Sequence, residues 1–473
     1  MFLCCKIVNF GIFVILNPVM RVHLIAVGGA VMHNLALELK RKGFIVTGSD
    51  DEIYEPARSK LAAAGLLPEK EVWFPERINA GIDTIIPGMH ARHDNPELAA
   101  AKDMGITIKS IPEFFYELTI DKLRIVVGGS YGKTTITAMI MHVMKENGIA
   151  FDYLTGSDVD GFENMVRLDE NSKIAVIEGD ENPSSPDDPR PEFHHYHPHI
   201  AVLNGIAWDH IDIYKTFESY RKQFDIFAAS IMPGGTLVYF KNDDEATAIA
   251  GSCRRDVLRL PYEMHGYFTN KEGCFAATIS TTVKVGFFGA HNMQNLGAAR
   301  EACLAAGITE EAFYNTIGSF RGAQRRLQKM AEDNGRIVYY DFAHSPSMVR
   351  ATLAAITERY PLKKVIAVFE LHTFSSLNVA FLPQYHGTLA GAADAFIYFN
   401  PHALAIKRLP VIMKEEIAEA FGISNVKVFN NSHELLDSLY SIEGKDVAFL
   451  FMSSGDFNGT DMQLLAEKLV IFR

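Results

Sequence analysis

The run Gly129-Ser130-Tyr131-Gly132-Lys133-Thr134-Thr135 has the residue types and spacing to hold a nucleotide. Its glycines let backbone N–H groups close on phosphates, and a helix opening behind it aims its positive end at them. Lys133 can reach β- and γ-phosphates, and the Thr134 hydroxyl can hold Mg²⁺. The run follows a β-rich stretch, Arg124–Val127, and opens a helical pattern over Lys133–Asn147, the context such a loop requires. Only Ser130 and Tyr131 separate its two glycines, so the loop is shorter than usual. The competing reading is a structural strand-to-helix turn.

Four further clusters could serve that loop. Glu178-Gly179-Asp180-Glu181 follows the strand-like run Ile174–Ile177. A carboxylate at the C-terminal edge of a parallel strand can ligate Mg²⁺ beside a phosphate loop; otherwise it is an exposed acidic turn. Trp208-Asp209-His210-Ile211-Asp212 follows the run Ile200–Leu203, and its histidine can serve a second metal ion or orient a ligand. Phe320–Arg326 carries Arg321, Arg325 and Arg326, the natural partners of a transferring phosphoryl group; the plain reading is a solvated basic turn. Asp341-Phe342-Ala343-His344-Ser345-Pro346 follows Ile337–Tyr340, where Asp and His suit ligand contact and Pro346 opens a helix. His194, His195, His197 and His199 have no matched second ligand pair, so zinc is not expected there.

Positioning these clusters takes repeated strand–helix units. Val22–Val27, Gly28-Gly29, a helical pattern over His33–Lys42, Phe44–Thr47 and then Asp50 read as the start of a parallel α/β sheet. Thr84–Ile86 reads as a further strand and Phe114–Leu118 as a short helix. Asn182–Pro191, rich in Pro, Asp and Ser, reads as a loop. A third α/β block after Arg326 has strands at Ile337–Tyr340, Lys364–Phe369, Ala395–Phe399 and Val447–Phe451. The expected fold is therefore α/β in three domains: residues 21–120 Rossmann-like, 121–322 a central P-loop ATPase domain, and 323–473 a C-terminal Rossmann-like domain.

Chain-wide properties narrow the classes. At ~100–200 residues per domain, 473 residues accommodate this plan. A net charge of −12 weighs against nucleic-acid binding, which calls for a basic stripe. The five cysteines show neither metal-ligand spacing nor a disulfide ladder, which fits a reducing cytoplasm. The apolar run Ile7–Leu16 is too short to span a bilayer, and no cleavage site follows it. Residues 1–20 are therefore expected to be a non-native or disordered extension, with translation starting at Met20.

Taken together, the motifs resemble the Mur ligase family, the ATP-dependent amino-acid and peptide ligases of peptidoglycan synthesis. The resemblance rests, in order, on Gly129–Thr135, Glu178–Glu181, Asn204 with Asp209-His210, Gly289-Ala290-His291-Asn292 with Asn295, Gly322 with Arg325-Arg326, and Asp341–His344. It implies a muramyl carboxylate activated by ATP as an acyl phosphate and then attacked by an amine. It assigns the phosphates to Lys133 within Gly129, Ser130, Tyr131, Gly132, Thr134 and Thr135. Mg²⁺ falls to Thr134 and Glu178, and a second Mg²⁺ to His210. Asn292 and Asn295 take adenine, Asp341 the ribose, Arg325 the γ-phosphate, and His344 the incoming amine. The uridine diphosphate falls to Gly28, Gly29 and Asp50.

Within the family the chain is most similar to the branch using UDP-N-acetylmuramate. Gly48-Ser49-Asp50 with Tyr54 and Pro56, and Leu203–Phe224, look like the members that reattach the recycled tripeptide L-alanyl-γ-D-glutamyl-meso-diaminopimelate. Glu370-Leu371-His372-Thr373-Phe374 replaces the Pro-His-Arg run usual in L-alanine-adding members. Tyr131 stands where a histidine is common, as does Ser345. No lysine is assigned the role of the carbamylated lysine that some family members carry, Lys215 and Lys222 being the candidates. The expected partners are UDP-N-acetylmuramate and a short murein peptide, or L-alanine, with no nucleic acid and no membrane, in a monomer or weak homo-oligomer. Two other classes stay open: a nicotinamide-dependent oxidoreductase using Val22–Asp50, and a non-catalytic nucleotide-gated binding protein.

Overall fold

The computed structural model describes residues 19–211, 213–278 and 281–471. Cys4, Cys5, the run Ile7–Leu16 and Asp212 lie outside the described residues. The chain divides into two compact units between Lys109 and Ser110.

The first unit holds a parallel sheet of β1 (Arg21–Ile25), β2 (Ile45–Ser49), β3 (Thr84–Pro87) and β4 (Thr107–Ile108), in the order β2-β1-β3-β4. Val22, Leu24, Ile25, Ile85 and Ile86 are buried, as both faces of such a sheet require. The first helix runs Ala30–Arg41. It starts one turn before His33 because Ala30, Val31 and Met32 already accept helical geometry once Gly29 ends the turn. Met32, Leu35, Ala36 and Leu39 form its buried stripe.

In the second unit, β5 (Leu123–Gly128), β6 (Asp152–Leu154), β7 (Val166–Arg167) and β8 (Ile174–Glu178) come first. The segment 182–191, expected as a loop, instead forms a hairpin of β9 (Pro183–Ser185) and β10 (Asp188–Pro191). A two-stranded ribbon leaves outward positions where proline loses no ladder bond. The turn is tied by Asp188 N–H donating to Ser185 Oγ at 3.1 Å. Then follow β11 (Ile200–Leu203), β12 (Thr236–Phe240) and β13 (Leu258–Tyr262). These build a seven-stranded sheet, β13-β12-β11-β5-β8-β6-β7, parallel except for edge strand β7.

A small antiparallel sheet, β14 (Tyr267–Asn270), β15 (Gly273–Ala277) and β16 (Thr282–Val285), comes next. The last sheet comprises β17 (Gln328–Asp333), β18 (Arg336–Asp341), β19 (Lys364–Leu371), β20 (Asp394–Phe399), β21 (Val426–Phe429) and β22 (Val447–Met452). Its order is β17-β18-β22-β19-β20-β21, parallel apart from β17. Its inner strands, β18, β22, β19 and β20, are near-continuous buried runs, with separate cores on the two faces of the sheet. The α/β architecture read from the sequence is thus the one observed. No helix among the described residues is long and apolar enough to cross a membrane.

Candidate active site

Strands β11, β5 and β8 are parallel neighbours, so their carboxyl ends lie side by side, the usual place for a ligand in an open α/β sheet. β5 leads into the glycine loop, β8 into Glu178–Glu181, and β11 into Asn204 and Asp209-His210. The loop turns at Gly132, whose φ of +78° is left-handed. A β-carbon there would sit 2.3 Å from both Asn204 Nδ2 and Asn295 Oδ1, so only glycine fits. Asn204 Nδ2 donates to Tyr131 O at 3.0 Å and to Asn295 Oδ1 at 3.1 Å. Ser130 Oγ lies 2.8 Å from Tyr220 Oη and accepts from Ala207 N–H at 2.9 Å. The Tyr131 hydroxyl reaches Gly205, where a β-carbon would be 2.2 Å away. Burial and the Asp243 charge push that phenol up to about 12, so it stays a neutral group.

The helix Lys133–Glu146 opens directly behind the loop. Lys133 Nζ donates to Glu181 Oε2 at 2.6 Å and to Gly129 O at 3.0 Å. Thr134 Oγ1 donates to Glu178 Oε1 at 2.5 Å, while Gly156 N–H donates to Glu178 Oε2 at 2.8 Å. His210 Nε2 lies 3.5 Å from Glu181 Oε1. Ligand atoms of Asp180, Glu181 and His210 all fall within 4.8 Å of one another. Burial opposes charge throughout this cluster, and pairing decides the outcome. For Lys133, the Glu181 and Asp180 charges outweigh burial and hold the ammonium well above its ordinary value. For Glu181, Lys133 and His210 outweigh it and hold the carboxyl at about 2. For His210, the Glu181 hydrogen bond and charge raise the imidazole to about 9. For Glu178, burial outweighs the hydrogen bonds from Thr134 and Gly156 and the Arg326 charge, and raises its carboxyl.

The last sheet supplies the other wall. Asp341 ends β18 and accepts N–H donors from Leu327 at 2.5 Å and Ala343 at 2.7 Å. His344 Nε2 lies 3.6 Å from Asp209 Oδ2, and Ser375 Oγ donates to Asp209 Oδ1 at 3.3 Å. Against burial, His344 and His210 hold the Asp209 carboxyl well below the usual range. Asn292 and Asn295 lie on the helix Ala290–Ala305, buried, with Asn292 Nδ2 donating to Phe288 O at 3.0 Å. A cleft of about 620 Å³ joins Lys133, Glu178, His210, Asn292, Asp341 and His344. Three atoms at its lining, Ser157 Oγ, His291 Nδ1 and Ser454 Oγ, are buried with no hydrogen-bond partner among the described residues. Oxygen donors from Thr134, Glu178, Asp180 and Glu181 match what Mg²⁺ accepts, and the orphaned polar atoms suit a polar ligand such as ATP.

Arg325, expected at the γ-phosphate, points elsewhere. Its Nη2 donates to Tyr340 Oη at 2.6 Å, to Ser453 O at 3.2 Å and to Gly455 O. The arginine at the phosphate loop is its neighbour Arg326, whose Nη2 donates to Thr134 Oγ1 at 3.1 Å. Arg325 has φ +55°, a left-handed turn that sends consecutive guanidinium groups to different sides. Glu181, the partner of Lys133, lay within the acidic tetrapeptide already singled out. Ser157 and Ser454 carry no sequence signal. Gly28, Gly29 and Asp50 belong to the first unit. There Gly28 N–H donates to Asp50 Oδ2 at 2.7 Å, and burial raises the Asp50 carboxyl against that bond. His194, His197 and His199 take separate partners: Gln223 O, the Tyr116 ring and Arg124 N–H. His195 instead faces Asp188 and Glu113, at 3.2 and 3.8 Å.

Comparison with known families matches the chain in three segments. Residues 21–122 match the Mur ligase family catalytic domain, 127–303 the Mur ligase middle domain, and 325–455 the Mur ligase glutamate ligase domain. The Haemophilus influenzae UDP-N-acetylmuramate–L-alanyl-γ-D-glutamyl-meso-2,6-diaminoheptandioate ligase is 27% identical, over 94% of this chain and 98% of its own length. The UDP-N-acetylmuramate–L-alanine ligase of Chlorobaculum parvum is 30% identical, over 92% of this chain and 93% of its own. The crystal structure of a murein peptide ligase from Psychrobacter arcticus shares the fold, with TM-score 0.67 and 21% identity over 96% of this chain and 99% of that one. A UDP-N-acetylmuramate–alanine ligase from Thermotoga maritima does so too, with TM-score 0.71 and 21% identity over 95% and 98%.

Proposed function

Because the chain belongs to the Mur ligase family, whose members are ATP-dependent amide-bond-forming ligases, we propose that it joins UDP-N-acetylmuramate to a recycled murein tripeptide. In this reading the muramyl carboxylate attacks the γ-phosphate of ATP, giving an acyl phosphate and ADP. The amine of L-alanyl-γ-D-glutamyl-meso-diaminopimelate then attacks the acyl carbon, and phosphate leaves. The carboxylate–phosphate encounter is repulsive, so catalysis is mainly positioning and charge compensation. Lys133 and Arg326 supply fixed positive charge beside the loop. Thr134 and Glu178 would hold one Mg²⁺, and His210 with Asp180 and Glu181 a second. Mg²⁺ supplies further charge neutralisation at the phosphates. Asn292 and Asn295 face adenine, Asp341 the ribose and His344 the amine. Residues 21–120 take the uridine diphosphate through Gly28, Gly29 and Asp50, and 323–473 take the acceptor.

The observation that carries the ligase reading is the single cleft joining the phosphate loop, the acidic cluster and His344. Family membership answers the two other classes: the chemistry is ligation, neither nicotinamide oxidation nor binding alone. L-alanine is the competing acceptor, favoured by relatives such as that of Chlorobaculum parvum. A ligation assay with UDP-N-acetylmuramate and either acceptor tests the choice. Phosphate release and product should follow the tripeptide; preference for L-alanine overturns it.

A further inference from the structure

Resting on the peptide-acceptor reading, we propose that Lys407, held on the face of Phe374, is the specificity-determining residue that binds a distal carboxylate of the acceptor peptide. The cleft reaches Thr373 at the carboxyl end of β19, close to His344. The chain continues directly into Phe374, whose ring is 41% exposed. Lys407 lies one residue past the helix Pro401–Ile406, which follows β20, the neighbour of β19. Its Nζ stands 4.6 Å from the centre of the Phe374 ring. Among the described residues no carboxylate pairs with Lys407 and none pairs with Arg408 beside it. In a chain of net charge −12, two adjacent cations without an acid are unusual.

His372, on the other side of Thr373, also has no hydrogen bond among the described residues. Burial and the positive charge of Lys407 outweigh the Asp456 charge and hold its imidazole below the usual range, with Arg325 and His344 adding to the effect. A line of polar side chains therefore runs from His344, on the amine side of the cleft, past the neutral His372 imidazole to the Lys407 ammonium. The Phe374 ring gives this path an apolar floor and holds the lysine ammonium in place through its π-face.

L-alanine carries one carboxylate, next to its reacting amine. The tripeptide carries more, displaced along the chain by the γ-linked glutamate and the diaminopimelate. An extended residue spans about 3.5 Å, so those groups stand farther from the reacting amine with each residue of the peptide. The path fits an acceptor longer than one residue. An ammonium preset for such a carboxylate would be redundant for L-alanine.

The test is steady-state kinetics of the full chain with Mg²⁺-ATP and UDP-N-acetylmuramate, varying the tripeptide. Lys407→Ala is expected to raise the tripeptide KM about 5- to 20-fold, the scale of a charge-assisted contact, and Lys407→Glu more. Lys407→Arg should restore it, and kcat and the KM for ATP should stay within about twofold. Amidating the tripeptide's terminal carboxyl groups should raise the wild-type KM and leave that of Lys407→Ala unchanged. A wild-type KM in Lys407→Glu overturns the proposal while leaving the acceptor reading intact. Turnover of L-alanine alone by the unaltered enzyme overturns both.

Discussion

Glu181 is buried and Lys133 partly buried, and each is the principal counter-charge of the other. Removing the ammonium leaves a buried carboxylate facing His210 and the Tyr220 hydroxyl, and takes the fixed cation from the proposed phosphate site. Lys133→Ala should therefore reduce ligation by at least ~10²-fold in kcat, the cost of one transition-state donor, with far-UV circular dichroism unchanged. Retained turnover would reject the loop assignment. The two neighbouring arginines separate cleanly. Arg326→Ala should lower kcat by a similar factor, because its guanidinium touches Thr134. Arg325→Ala should mainly cost stability, about 1–3 kcal/mol for hydrogen bonds from a charged group, read by denaturant melts. The reverse pattern would return the phosphate role to Arg325.

His210 carries a pH signature. Its folded pKa is raised to about 9, burial being outweighed by Glu181. In metal-free protein this stabilisation is fully present below the ordinary histidine value of about 6.5 and is lost as pH rises through about 9. The term is on the order of 1–3 kcal/mol. Melting in chelator at pH 6.5 and pH 9.5 should show a larger loss for wild type than for His210→Gln. Equal losses would remove the His210–Glu181 pair from the account.

Among the elements, the strand–loop–helix formed by β5, the glycine loop and Lys133–Glu146 sets the geometry of everything near it. Gly132→Ala is the sharpest probe. Its β-carbon would meet the Asn204 and Asn295 amides in a backbone conformation that alanine resists. It should lower stability by about 1–3 kcal/mol and abolish ATP binding by calorimetric titration. Normal nucleotide affinity would show that the loop relaxes freely. This element was legible in the sequence because β-rich Arg124–Val127, the glycines and the helical period agree. The hairpin at 182–191 was not. Proline and serine report local turn preference, whereas pairing across the ribbon rests on Ser184 and Ser185 of one strand meeting Arg190 and Asp188 of the other. The exchange of Arg325 for Arg326 was invisible for a related reason. Residue type identifies an arginine, and only the left-handed backbone at 325 decides which one faces the loop.

At the scale of the second unit, the cleft exists because two sheets present carboxyl edges to each other. Asp209 follows β11 of the seven-stranded sheet, while His344 and Ser375 follow β18 and β19 of the last sheet. The Asp209 carboxylate touches both of these residues, and His344 with His210 holds it ionised against burial. Nothing in the sequence pairs residues 209, 344 and 375, since the link spans separate strand ends. In the proposed reaction, ATP would bind along the loop without this link, whereas presentation of the amine to the acyl phosphate would depend on it. Asp209→Asn should therefore leave ATP affinity within about threefold and lower kcat by roughly 10-fold or more, the penalty of slight misplacement. Single-turnover experiments should place the loss in amide formation, with ADP still produced. An unchanged kcat would show that the sheets hold their alignment without Asp209. A matched fall in ATP affinity would mean that the residue serves the nucleotide side of the cleft instead.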